Sequence, residues 1–129
     1  MSQISTQVQP DEQLTTLTAH GKVDIEMIID AMKDIYEHST PPTRYMLWDF
    51  SHADLSSVYG SDLKRLNKIT MQFAHLRPDG KTAIVSTNDL GYGIGRQYSI
   101  IGRLNELPLI IDSFRSVDDA IEWLYSSNK

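Results

Sequence analysis

The chain has 129 residues, a size that suits one core, and its 40% hydrophobic and 22% charged residues are ordinary for a soluble globular domain. Twelve basic against 17 acidic residues give a formal charge of −5, which argues against a nucleic-acid binder, because such proteins gather Lys and Arg on one face. With no cysteine in the chain, disulfides and thiolate metal sites are both excluded.

Met1–Gln7 lacks the positive stretch and apolar run of a signal peptide, and no later segment is long and apolar enough to span a bilayer. A cytoplasmic protein without a membrane span is the expectation. Ile4–Gln9 and Leu14–His20 alternate apolar residues with Thr and Gln, predicting two short strands with a turn at Pro10-Asp11-Glu12. Gly21-Lys22 breaks the pattern. Ile25, Ile28, Ile29, Met32, Ile35 and Tyr36 then recur at helical spacing, with Asp24 as N-cap and Pro41-Pro42 stopping the helix beyond His38. Arg44–Phe50 is mostly apolar and predicts a central strand covered on both faces, closed by Asp49.

Leu63, Leu66, Ile69, Thr70, Phe73 and Leu76 mark a second helix, ended by Pro78-Asp79-Gly80. Thr82–Thr87 predicts a short buried strand. A third helix is expected over Gly93–Glu106, with Ile94, Tyr98, Ile101 and Leu104 inward. Leu109–Asp112 is the final strand. Ser116 and Asp119 then have capping-box spacing for a last helix whose apolar face is Val117, Ile121, Leu124 and Tyr125. The order β-β-α-β-α-β-α-β-α predicts one α/β domain over residues 1–129, with a mixed sheet of about five strands, about four helices and right-handed crossovers.

Several segments together resemble the STAS domain, meaning the SpoIIAA-like anti-sigma-factor antagonist family and its transporter-linked relatives. Gly21-Lys22-Val23-Asp24 looks like that family's glycine, hydrophobic residue and Asp before the first helix. Asp49-Phe50-Ser51-His52 followed by Gly60 looks like its central strand end and second-helix entrance. Gly93-Ile94-Gly95-Arg96-Gln97-Tyr98 and Phe114–Leu124 are similar to segments of the stand-alone STAS/SEC14-like bacterial proteins. The resemblance covers about residues 13–126. It departs at one place: family members that switch by phosphorylation carry the acceptor hydroxyl just before the glycine, and here Ser57-Val58-Tyr59-Gly60 puts Tyr59 there.

Two groups of residues are candidate sites. The first is Asp49, Ser51, His52, Ser57, Tyr59, Gly60 and Ser61 at the second-helix entrance, where a phosphate would meet free N–H groups and the positive end of the helix dipole. The plainer use of these serines and aspartates is capping and turning. The second is Asn88, Gly91, Gly93, Gly95 and Arg96, which follow a strand, open a helix and suit an anion or ligand. Arg96 stands where a dinucleotide fingerprint needs glycine, and close helix–sheet packing is the alternative use of the glycines.

His52 and Asp54 have no third ligand at suitable spacing, so no metal site is expected. No nucleophile elbow or acid–base pair is present, and neither catalytic residues nor a cofactor are expected. Trp48 is assigned to the core, whereas Trp123 lies off its helix stripe and suits a partner surface or a homodimer contact. Lys64, Arg65 and Lys68 form a solvated face, with reception of an acidic partner as the alternative use. The resemblance implies a non-enzymatic regulatory module that binds a protein partner, such as an anti-sigma-factor-like kinase or another regulator, through the start of the second helix. Its SEC14-like side implies an alternative: a small-molecule or lipid binder with a pocket near Gly91–Tyr98, lined by Leu90, Tyr92, Ile94, Tyr98 and Ile100.

Overall fold

The computed structural model describes residues 2–38 and 42–126. Strands β1 (Gln3–Gln9) and β2 (Leu14–Lys22) are joined by a 3-10 turn at Pro10–Glu12. There follow α1 (Ile25–His38), β3 (Tyr45–Asp54), α2 (Gly60–Phe73), a 3-10 turn (Ala74–Leu76) and β4 (Lys81–Val85). The chain then forms α3 (Asp89–Leu104), β5 (Ile110–Phe114) and α4 (Val117–Leu124). This is the order the hydrophobic periodicities predict. The five strands lie side by side in chain order, β1 antiparallel to β2 and the rest parallel. The opening pair is therefore a hairpin.

Each parallel connection steps one strand in the same direction, so right-handed crossovers place α1, α2 and α3 on one face. That face buries Leu17, Met46, Trp48, Phe50, Ile84 and Ile111 of the sheet with Ile29, Met32, Leu63 and Tyr98 of the helices. Alternating side chains point the other way, where α4 covers Leu14, Leu47, Ala83 and Val85 with Ala120 and Leu124. All five residues of β4 are buried, and β3 is central as expected. Asp24 caps α1 as predicted, its Oδ1 accepting the Met27 N–H at 2.9 Å.

Several boundaries differ from expectation for identifiable reasons. β3 does not close at Asp49; it pairs with β4 up to Asp49 and continues along β2 alone to Asp54. The register slips between Thr18↔Asp49 and His20↔His52, a bulge that lets Phe50 and Ala53 both face the helices. β2 likewise does not break at Gly21, which stays in the ladder opposite Ala53 at φ 78°, a conformation free of penalty only without a Cβ. α3 begins at Asp89 rather than Gly93, so Gly91, Gly93 and Gly95 lie inside its first two turns. Leu76 and Leu104, predicted inward, are exposed, because α2 gives way to a 3-10 turn and Leu104 is the last residue of α3. On α4 the inward residues are Ala120 and Leu124, while Val117 and Tyr125 are exposed. The predicted stop at Pro41 lies outside the described residues.

Sequence reading passed over Arg77, which is 1% exposed. Its five N–H groups are all engaged: Nε donates to Thr43 O, Nη1 to Tyr36 Oη and Thr82 Oγ1, and Nη2 to Arg44 O and Lys81 O, at 2.8–3.1 Å. This guanidinium clamps the amino ends of β3 and β4. The opposite, carboxyl ends are left to position the candidate site.

Candidate functional site

Strands β2 to β5 run parallel, so their carboxyl ends share one edge of the molecule, and the starts of α2 and α3 meet there. A Cβ on Gly60 would lie 3.1 Å from Gln97 Nε2, so the first residue of α2 rests against the middle of α3.

The connection from β3 to α2 is tied down residue by residue. Asp54 Oδ1 accepts the Ser56 N–H at 2.9 Å, and that backbone bond is the main reason its carboxyl is held below the usual range. Leu55 and Val58 bury themselves in the core, with the Val58 N–H donating to Leu55 O at 3.0 Å. The Ser57 hydroxyl donates to Val23 O at 3.4 Å, linking the loop to the turn before α1. Tyr59 is the N-cap of α2, in extended conformation, and its N–H donates to Asp62 Oδ2 at 2.9 Å. That bond fixes the backbone and leaves Tyr59 67% exposed. Ser61, the second residue of the helix, is also exposed.

At the start of α3, Asn88 Oδ1 accepts the Gly91 N–H at 2.8 Å. The Asp89 carboxylate pairs with Arg115 at 2.9 Å, and that guanidinium stands 4.3 Å from the centre of the Tyr92 ring. A Cβ on Gly91 would fall 2.0 Å from Ser86 Oγ, and one on Gly95 would fall 2.5 Å from Ser113 Oγ and 3.1 Å from Ile84. One on Gly93 would meet nothing within 4 Å. Gly91 and Gly95, four residues apart, thus form the face that lets α3 lie close on β4 and β5. Gly93 and Arg96 face solvent. An anion here would find the Asn88 cap already on the Gly91 N–H and a carboxylate at Asp89, both of which work against it.

The predicted site residues divide. Ser57, Tyr59, Gly60 and Ser61 share the end of the β3–α2 connection and the first turn of α2, where Gly60 lies beside Gln97. Asp49, Ser51 and His52 do not belong to the same loop, because they lie within β3. Asp49 Oδ1 accepts the Ser51 N–H at 3.0 Å. Asp49 and His52 alternate with the inward Trp48, Phe50 and Ala53, so both point to the face away from α2. There His52 stacks on His20, ring centres 5.6 Å apart. Gln97 and Arg115 were missed by the sequence reading. Both lie in segments that carry the family resemblance, Arg115 just beyond a parallel strand and Gln97 two residues after Gly95.

Beneath this surface, a cavity of about 60 Å³ lies between the sheet and the first three helices, lined by Met32, Trp48, Phe50, Leu63, Ile94 and Tyr98 among others. Ile94 and Tyr98 were expected in a pocket and do line this one. Leu90 and Ile100 are exposed instead, on the outside of α3. The Tyr98 hydroxyl shares a 2.7 Å hydrogen bond with Thr70 Oγ1, and burial raises the phenol above its ordinary pKa. Trp123 is half-buried between Phe114, at 5.2 Å between ring centres, and the Lys81 ammonium, 4.4 Å from its ring centre. Among the described residues, no three His, Cys, Asp or Glu are placed to hold a metal ion, and no helix is long and apolar enough to cross a membrane.

No protein-family model matches the chain, and no curated protein matches it significantly. Solved structures do. An uncharacterized DUF3478-family protein with a SpoIIAA-like fold from Shewanella loihica is 18% identical, with a TM-score of 0.62 over 96% of this chain and 95% of its own. An anti-sigma factor antagonist from Mycobacterium paratuberculosis is 17% identical, with a TM-score of 0.57 over 95% of each chain. The mixed five-stranded sheet with its four helices is therefore a SpoIIAA-like, STAS-type fold.

Proposed function

We propose that this chain is a non-enzymatic interaction module that receives a protein partner, of the kind an anti-sigma factor antagonist engages, where α2 begins against α3. One observation carries the reading: Tyr59 is held rigidly at its backbone by Asp62 while its ring stands in solvent, next to the Gly60–Gln97 junction. An immobilised backbone with an exposed aromatic ring is a low-cost anchor for a partner surface. In the family that the sequence resembles, a phosphate before the glycine acts through the helix N-terminus. The Tyr59 hydroxyl lies a ring's length from those N–H groups, and the Ser57 hydroxyl is engaged with Val23. Ser61 is the exposed hydroxyl nearest the helix start, so any phosphate switch belongs at Ser61.

A photo-crosslinking amino acid in place of Tyr59 or Gln97 should capture a protein in extract of the source cell, and the same group at His52 should not. With the captured protein purified, Tyr59→Ala should weaken binding at least about tenfold at unchanged melting temperature. Capture from His52 alone would sink the proposal.

The second reading, a small apolar ligand, is favoured by the nearly all-apolar lining of the cavity. Ligand pockets run to roughly 300–1,000 Å³, so at about 60 Å³ the helices would have to part to admit one. Native mass spectrometry of protein from its own host decides this, a non-covalent adduct supporting the ligand and a bare mass opposing it.

A further inference from the structure

The sheet has two edges, β1 and β5, and the chain treats them differently. An open edge offers unpaired N–H and C=O groups to any passing strand, and proteins blunt it with charge, proline, bulges or short length. β5 is blunted. It has five residues, and since the Ile110 N–H donates to Gly80 O and Phe114 O accepts from Ser86, the Ser113 N–H faces outward. Asp112 Oδ1 accepts that same N–H at 2.8 Å, which removes a donor an incoming strand would need and sets a carboxylate beside the edge.

β1 carries no such device. It reads Gln-Ile-Ser-Thr-Gln-Val-Gln, seven residues without charge, proline or glycine, in unbroken register with β2 from Gln3↔His20 to Gln9↔Leu14. It is also nearly a palindrome about Thr6, with Gln3 mirrored by Gln9, Ile4 by Val8 and Ser5 by Gln7. A two-fold axis through Thr6, perpendicular to the sheet, would pair two such strands antiparallel with every residue opposite its mirror. The faces agree as well. Ile4, Thr6 and Val8 stand opposite Ala19, Leu17 and Thr15, so they share the helix-covered side, and in the pair they would again share one side. Val8, 43% exposed in the single chain, would lie against the partner's Ile4.

We infer that β1 is the interface of a homodimer, joining two five-stranded sheets into one continuous sheet across a two-fold axis. The association closes at two chains, because each offers one β1 and the far edges are blunted. The site at the strand carboxyl ends plays no part in this contact, so the inference stands or falls apart from the docking proposal.

Sedimentation velocity on the full chain tests it. The unmodified protein should run as a dimer. Thr6→Lys puts two ammonium groups opposite each other on the axis and should raise the dimer dissociation constant on the order of a hundredfold or more, with circular dichroism unchanged. Thr6→Glu should do the same, and an equimolar mixture of the two variants should recover the dimer. A monomeric unmodified protein up to its solubility limit, a Thr6→Lys variant that stays dimeric, or a mixture that stays monomeric would each overturn the assignment.

Discussion

Arg77 brings a permanent charge into the core and meets five neutral oxygens there, not a carboxylate. Replacing it with Met fills the space but takes a donor from three backbone carbonyls and two hydroxyls, of which Arg44 O keeps the Lys81 N–H, so Arg77→Met should cost roughly 3–5 kcal/mol in urea unfolding. Arg77→Lys should recover little, since an ammonium has three donors and no fork. The glycines of α3 make opposite predictions within one turn of each other. Gly95→Ala drives a methyl into Ser113 and Ile84 and should cost about 1–3 kcal/mol, while Gly93→Ala meets open space and should stabilise by about 0.5–1 kcal/mol through helix propensity. Equal effects at the two positions would contradict the packing account. Asp54 gives a pH signature. Its folded pKa is depressed, so its contribution to stability is complete above the unfolded value near about pH 4 and is lost as pH falls through the folded value. Asp54→Asn should flatten that part of the acid limb in urea melts taken from neutral to low pH, and an unchanged limb would assign it to other carboxylates.

At the scale of elements, the helices were legible wherever one face is apolar and a cap stands before it, as at Asp24 and Ser116. The Ser116 hydroxyl does accept the Asp119 N–H, at 3.1 Å. What escaped the sequence has physical causes. The bulge in β3 sends Phe50 and Ala53 to the same side, so strict alternation stops there although the strand does not. Three glycines in five residues look like a loop, yet two of them serve close approach inside a helix capped earlier by Asn88. Of the candidate site, the α2 entrance was readable because the chain runs through it continuously. Its apposition to Gln97 depends on two helices packing side by side, which no local pattern encodes. α4 also carries a graded prediction. Ser116→Ala should cost about 1 kcal/mol as a lost cap, and Leu124→Ala, at a fully buried position, about 2–5 kcal/mol. Both should unfold in a single transition, because Leu124 packs on Leu47, Ala83 and Val85 of the central strands.

Across the whole molecule, the sheet is covered unevenly. β3 and β4 lie between α1–α3 on one side and α4 on the other. Apart from Leu14, which α4 covers, the hairpin has helices over one face only; on its other face Ser5 and Gln7 are exposed and Thr16 and Thr18 half-buried. The sequence carried this gradient in plain form, as the Ser, Thr and Gln that dilute the alternation of the first two strands while β4 is wholly apolar over Ala83-Ile84-Val85. Free energy of local opening should therefore fall from β4 towards β1, since fewer buried contacts oppose separation of the outer strand. Native-state hydrogen exchange reads this directly. Amides of β3 and β4 should exchange only by global unfolding and follow the full dependence on denaturant. Those of β1 should exchange through a smaller opening, with lower free energy and a shallower slope. The experiment belongs on the Thr6→Lys chain, where a dimer contact cannot protect β1. Equal protection of β1 and β4 there would mean that the hairpin is held by the fold as firmly as the centre, and that one covered face is enough to lock it.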